Sequence, residues 1–179
     1  HFQYPAQVML DFLPEKYHPL VKGSLEVEVT CLEFDSRFVE PGALFFALPG
    51  LHVDGHDYIP KAIEAGARVV VHQRELKSYS KKTTYLQVED SRKFMSPLSA
   101  AFYDHPSQEI PVIGVTGTDG KSSTVSYIHQ LLGLLGKKSG FLSTVAFQID
   151  GPPRKNSLRQ STPEAPQIHR LLREMVDAG

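Results

Sequence analysis

The 179 residues are 41% hydrophobic and carry a formal net charge of −1, from 19 Lys and Arg against 20 Asp and Glu. This length allows one large domain or a medium one plus part of another, and the even spread of charge offers no basic stripe of the kind that nucleic-acid binding needs. No run approaches the roughly 18 consecutive apolar residues of a membrane span, the start lacks the charged-then-apolar order of a signal peptide, and one cysteine cannot form an internal disulfide, so a cytoplasmic protein without membrane insertion is expected.

Along the chain, short apolar runs rich in Val, Ile and Phe alternate with longer helical segments, an α/β signature. Strands are expected at Leu25 to Cys31, Ala43 to Leu48, Arg68 to His72 and Tyr85 to Val88. Cys31 ends the first alternating run and reads as a small buried hydrophobe rather than a reactive thiol. Helical segments are expected near Ile59 to Ala65 and Arg92 to Tyr103, the second with Pro97, a residue that opposes a helix interior, within it. The Phe45-Phe46 pair reads as core rather than a base-stacking platform, and Lys77 to Lys82 as a solvated basic turn. The polar stretch Asp104 to Glu109 contains a proline and precedes a new apolar run, so a boundary is placed there, giving domains 1–108 and 109–179.

The second segment reads strand, loop, helix: Ile110 to Val115 as a short apolar strand, a glycine-containing turn, then a helix with Val125, Ile128, Leu131, Leu132 and Leu135 on one face. Further on, Thr162 can cap a last helix, Pro163 suits its first position and Gly179 can close it. A parallel sheet needs more strands than this segment supplies, so a piece of a longer enzyme is expected.

Between that strand and helix lies Thr116-Gly117-Thr118-Asp119-Gly120-Lys121-Ser122-Ser123. Glycines let the backbone turn so that several amides face one anion, and the helix start adds a partial positive charge. In this context Lys121 reaches the β- and γ-phosphates of a nucleotide, Ser122 offers its hydroxyl to Mg²⁺, and the amides of Gly120 to Ser123 cradle a phosphate. A helix end contributes about 0.3–1 kcal/mol, whereas micromolar binding needs about 8, so the dipole alone cannot hold a nucleotide and all these parts are required. The plain alternative is a glycine turn beside a surface lysine; the apolar run before the loop and the amphipathic helix after it argue against that.

The run Val112 to Ser123 resembles the ATP loop of the Mur ligase family, usually written G-V-T-G-T-N-G-K-T-T, with Asp119 in place of Asn and Ser122-Ser123 in place of paired threonines. The extra carboxylate lies near the phosphates, where Mg²⁺ can offset it. Asp35-Ser36-Arg37, then Pro41 to Leu48, Gly50 and Asp54-Gly55-His56, are similar to the UDP-binding domain of MurE- and MurF-type members, and Phe102 to Ser107 and Ser161-Thr162-Pro163 look like the MurE type. The resemblance implies a small amino-terminal UDP-binding α/β domain followed by the start of the central P-loop ATPase domain.

By that resemblance Lys121 is catalytic, residues Gly117, Thr118, Asp119, Gly120, Lys121, Ser122 and Ser123 bind ATP, and Ser122 binds Mg²⁺. Phe34, Ser36, Leu51, His52 and Val53 contact the uridine nucleotide, and Gln160, Ser161 and Thr162 the muramoyl or peptide portion, with Gln160 departing from the family's Asn. The implied reaction adds a diamino acid to UDP-N-acetylmuramoyl-L-alanyl-D-glutamate through an acyl phosphate, in a monomer whose diamino-acid site lies outside this chain. The rivals are a MurF-type or folate polyglutamate ligase, a non-catalytic UDP-sugar-binding fragment, and a simple P-loop kinase or GTPase. The eight histidines are scattered without zinc spacing, so no histidine metal site is expected; His52 and His56 share a loop and could touch substrate, and His105 caps or packs at the boundary.

Overall fold

The computed structural model describes residues 3–50, 53–144, 146–149, 151–155 and 163–179. Backbone packing divides the chain into two units, 1–103 and 104–179. Among the described residues no helix is long and apolar enough to cross a membrane.

The first unit is organised by a five-stranded sheet. Its strands are β2 (Leu20–Lys22), β4 (Cys31–Glu33), β5 (Ala43–Phe46), β6 (Val69–His72) and β7 (Thr84–Gln87), in the order β2-β7-β6-β5-β4. β4 to β7 run parallel and β2 closes one edge antiparallel. Every residue of β5 and β6 is buried, as expected of parallel strands covered on both faces. On one face Phe45, Val70 and Tyr85 pack with Ile59 and Ala62 of helix α2 (Ile59–Glu64). Leu44, Phe46, Val69 and Leu86 alternate with them and point the other way. Helix α1 (Ala6–Asp11) and helix α3 (Ser91–Phe102) contribute Met9, Leu10, Phe94, Met95 and Leu98 as further buried side chains.

Helix α3 runs unbroken through Pro97. An interior proline costs about 3 kcal/mol. Phe94, Met95, Leu98 and Phe102 are each at most 2% exposed, and burial at roughly 1.5–3 kcal/mol per large apolar side chain outweighs that cost. Asp90 fixes the helix start, its Oδ1 accepting from Arg92 N and Lys93 N at 3.0 Å each.

The expected strand Leu25 to Cys31 is two strands. β3 (Glu28–Val29) pairs antiparallel with β1 (Tyr4–Pro5), and β4 begins at Cys31 and pairs parallel with β5. Thr30 breaks the run, donating from its backbone to Gly42 O at 3.1 Å and from its hydroxyl to Pro41 O at 3.2 Å. One apolar alternation thus serves two sheets. Phe45 and Phe46 are core, and Lys77, Lys81 and Lys82 are exposed.

The second unit holds α4 (Lys121–Leu134), a three-stranded antiparallel sheet of β8 (Phe141–Leu142), β9 (Ala146–Gln148) and β10 (Arg154–Lys155), and α5 (Ala165–Asp177). Residues 110–115, expected as a strand, have no ladder partner among the described residues. Val112 and Ile113 are 59% and 63% exposed, and a strand exists only through its neighbours. The start of α5 also corrects the expectation. Glu164 is the cap residue and Pro166 sits in the first turn, with Gln167 Oε1 accepting from Glu164 N at 3.0 Å; Thr162 lies outside the described residues. Gly179, at φ +82°, follows the helix end and its N–H donates to Val176 O. Arg173 joins α5 to Glu109, Nη1 to Oε1 at 2.5 Å.

Candidate functional site

The described residues singled out by the sequence fall on the segments after β4 and β5 in the first unit and on the loop that opens α4 in the second. In the first unit the parallel strands all point the same way, so the segments following them leave from one edge. This carboxyl edge is where open α/β sheets bind ligands. Phe34 follows β4 and is half-buried. Next, Asp35 Oδ1 accepts from Arg37 N at 3.0 Å, and the Arg37 guanidinium returns to the same carboxylate with Nη2 2.6 Å from Oδ2. The turn is completed by Phe38 N donating to Asp35 O at 3.0 Å. Arg37's hydrogen bond holds the Asp35 carboxyl below the usual carboxylate range despite partial burial. Ser36 is the residue enclosed by this self-closing turn and is buried. Because the Arg37 side chain is 73% exposed, the pair shapes the turn more than it stabilises the fold.

After β5, Val53 is 57% exposed and Asp54 opens a short 3-10 helix at Gly55–Tyr58. Leu51 and His52 lie outside the described residues, as do Gln160, Ser161 and Thr162. His56, expected as a residue that could touch substrate, is enclosed instead: its side chain is 7% exposed, with Nδ1 2.6 Å from Asp54 Oδ1 and Nε2 accepting from Gln73 N at 3.2 Å. Burial pushes the Asp54 carboxyl up, but the His56 amide and ring together with Arg74 outweigh it and hold the group below its ordinary value. No local signal in the sequence announces the link to Gln73, which sits at the end of β6.

In the second unit, Gly117 to Gly120 are exposed and lead into α4. Gly120 has φ +75° and ψ −4°, the left-handed region, and no side-chain hydrogen bond caps the helix start. A side chain there would be strained, while nothing lies within 4 Å of where its Cβ would stand, so space above the turn is open. Lys121 arches back over the loop, Nζ donating to Gly117 O at 2.6 Å and to Thr118 O at 2.9 Å. Ser122 Oγ lies 3.3 Å from Thr144 Oγ1, a neighbour that motif spacing does not disclose because the two are far apart along the chain. Asp119 and Ser123 are exposed.

A glycine turn, an uncapped helix start and a lysine folded onto the same loop fit a polyphosphate. The paired hydroxyls of Ser122 and Thr144 suit an oxygen-seeking cation but supply only neutral donors. Among the described residues no group of three His, Cys, Asp or Glu side chains could hold a metal ion.

Residues 28–103 match the family described as Mur ligase family, catalytic domain, and residues 115–179 match the Mur ligase middle domain. The chain is 52% identical over 162 residues to the UDP-N-acetylmuramyl-tripeptide synthetase of Borreliella afzelii (strain PKo), a match covering 89% of this chain and 32% of that protein. It is 44% identical over 151 residues to the UDP-N-acetylmuramoyl-L-alanyl-D-glutamate--2,6-diaminopimelate ligase of Chlorobaculum tepidum, covering 84% of this chain and 29% of the relative. The chain thus spans about a third of the length of the curated relatives it matches. A solved structure of a UDP-N-acetylmuramoyl-L-alanyl-D-glutamate--2,6-diaminopimelate ligase superposes with a TM-score of 0.64 at 19% identity, covering 92% of this chain and 33% of that one, and so shares the fold. Two family matches in succession, along most of the sequence, establish that this chain is built from domains of the Mur ligase family.

Proposed function

We propose that this chain provides the UDP-precursor-binding domain (1–108) and the beginning of the ATP-binding domain (109–179) of a MurE-type ligase. The enzyme would join a diamino acid to UDP-N-acetylmuramoyl-L-alanyl-D-glutamate. The observation that carries the reading is the loop at the start of α4, where Gly120 in the left-handed region, an uncapped helix start and Lys121 converge. The names of the relatives agree with this substrate and product.

When bound, ATP would supply a γ-phosphoryl group to the D-glutamyl carboxylate with release of ADP, and attack of the incoming amine on the resulting acyl carbon would expel inorganic phosphate and form the amide. Lys121 is the catalytic residue. Its ammonium exchanges the carbonyls of Gly117 and Thr118 for phosphate oxygens and offsets the charge that builds during transfer. Gly117, Thr118, Asp119, Gly120 and Ser123 shape the loop so that backbone amides face the phosphates, and Ser122 contributes one oxygen to Mg²⁺. Phe34, Ser36 and Val53 of the first unit, together with Leu51 and His52, hold the uridine nucleotide. Gln160, Ser161 and Thr162 hold the muramoyl or peptide portion. The protein contributes positioning and charge rather than covalent chemistry.

Calorimetric titration of the chain tests the reading with UDP-N-acetylmuramoyl-L-alanyl-D-glutamate against wild type and Ser36→Ala, and with Mg²⁺ and a non-hydrolysable ATP analogue against Lys121→Ala. Each substitution weakens its own ligand and leaves the other unchanged. A folded chain that binds neither ligand sinks the proposal.

A further inference from the structure

Asp54, His56 and Gln73 form a hydrogen-bonded chain that no step of the proposed chemistry uses. After β5 the backbone returns to its own base, where Gly55 N donates to Leu48 O at 2.8 Å. Gly55 tolerates no side chain: a Cβ would stand 2.6 Å from Leu48 N and 2.7 Å from Leu48 O. Immediately before it, Asp54 Oδ1 accepts from His56 N at 3.1 Å and lies 2.6 Å from His56 Nδ1. On the far side of the ring, Gln73 N donates to Nε2 at 3.2 Å. An Nε2 that accepts leaves the proton on Nδ1, so the imidazole donates to Asp54 and accepts from Gln73, with both ring nitrogens satisfied.

The chain continues at both ends. Arg74 reaches Asp54 Oδ2, and Gln73 Oε1 accepts from Ser91 N at 3.0 Å in the first turn of α3. Asp54 and His56, next to Val53, are therefore tied to the residues that follow β6 and to the start of α3. With its side chain 7% exposed, the ring is enclosed by these partners rather than offered to a ligand.

We propose that His56 is a positioning residue. It holds Val53 and Asp54 in place before a ligand arrives, so that a uridine nucleotide meets a preformed wall. This rests on the reading of Phe34, Ser36 and Val53 as nucleotide contacts. A wall that must be ordered during binding loses affinity by the cost of ordering it, whereas one latched in advance does not.

UDP serves as the probe, with affinity and amide hydrogen exchange measured on the full chain as wild type, His56→Ala and His56→Gln. We expect His56→Ala to weaken UDP by roughly tenfold, the factor that ordering one or two side chains implies. It also speeds exchange at Gly50 and at 53–55 while β5, β6 and β7 stay protected. His56→Gln returns an acceptor to Gln73 N and recovers most of both effects. Nitrogen-15 shifts of the His56 ring in wild type show a protonated Nδ1 and a bare Nε2; the opposite pattern overturns the proposal even if His56→Ala does not fold. Unchanged UDP affinity in a folded His56→Ala overturns it while leaving the nucleotide reading intact. A wild-type chain that ignores UDP sinks the nucleotide reading alone, and the exchange comparison then decides the latch: faster exchange in His56→Ala upholds it and equal exchange overturns it.

Discussion

Val70 and Ile113 belong to equally apolar runs, yet Val70 is fully buried and Ile113 is 63% exposed. In the first unit β6 has a parallel neighbour on each side, so its backbone groups are paired and its side chains covered from both faces. In the second unit residues 110–115 have no such neighbours among the described residues. Helix α4 forms there all the same, because its hydrogen bonds are internal. None of its residues is fully buried, and Leu131, Leu134 and Tyr127 stand in solvent. Helix, loop and turn are thus written locally, while a parallel strand is written by its partners.

The most direct way to break this comparison is to delete core volume in each unit. Phe45 is 1% exposed in the packed cluster between β5 and α2, so Phe45→Ala removes about 3–5 kcal/mol from the first unit. Leu134 is 86% exposed, so Leu134→Ala shifts stability by less than about 0.5 kcal/mol. Urea unfolding of the two variants reports both values. Similar losses would mean that α4 packs as tightly as the sheet and would end the contrast.

The same division decides how much of the molecule is legible in its sequence. Ala43 to Leu48, Arg68 to His72 and Tyr85 to Val88 can be placed within one or two residues, because strands covered on both faces are near-continuous apolar runs. Tyr4–Pro5, Leu20–Lys22 and the antiparallel strands between Phe141 and Lys155 cannot, since two- and three-residue strands depend on partners that carry no local pattern. The phosphate loop is legible because its parts are consecutive. The link from His56 to Gln73 is hidden, because Gln73 lies far along the chain, just after β6.

A smaller effect sharpens the loop side of the comparison. Gly120→Ala meets no neighbour, so only its φ of +75° opposes the change. The free loop relaxes, and binding has to restore a conformation costing about 1–2 kcal/mol. Affinity for a non-hydrolysable ATP analogue with Mg²⁺ then falls roughly five- to thirtyfold, while the urea midpoint of the first unit stays where it was. Loss of that midpoint would show that the loop and the sheet are not independent.

Acid acts on buried and half-buried groups in both units. Asp54, held below its ordinary value, contributes stability that is present above about pH 3.9 and is lost as pH falls through its folded value. In the second unit burial pushes the His169 imidazole down, and electrostatic repulsion from His105 adds to it. Among the described residues its buried Nδ1 has no hydrogen-bond partner. The folded state therefore favours the neutral ring, and the unfolded chain takes up a proton first. That contribution is complete above about pH 6.5 and declines as pH falls from there to the folded value, where it levels off. Thermal scans between pH 7.5 and 4.5, with hydrogen exchange followed at α5 and β6, should show both units weakening, α5 through His169 and β6 through His72, whose imidazole burial also pushes down. His169→Phe removes both the unpaired nitrogen and the titration, so α5 in that variant keeps its protection across the whole range. A wild-type α5 already insensitive to pH would place the His169 ring in water, and with it the packing of α5 against Pro106–Gln108.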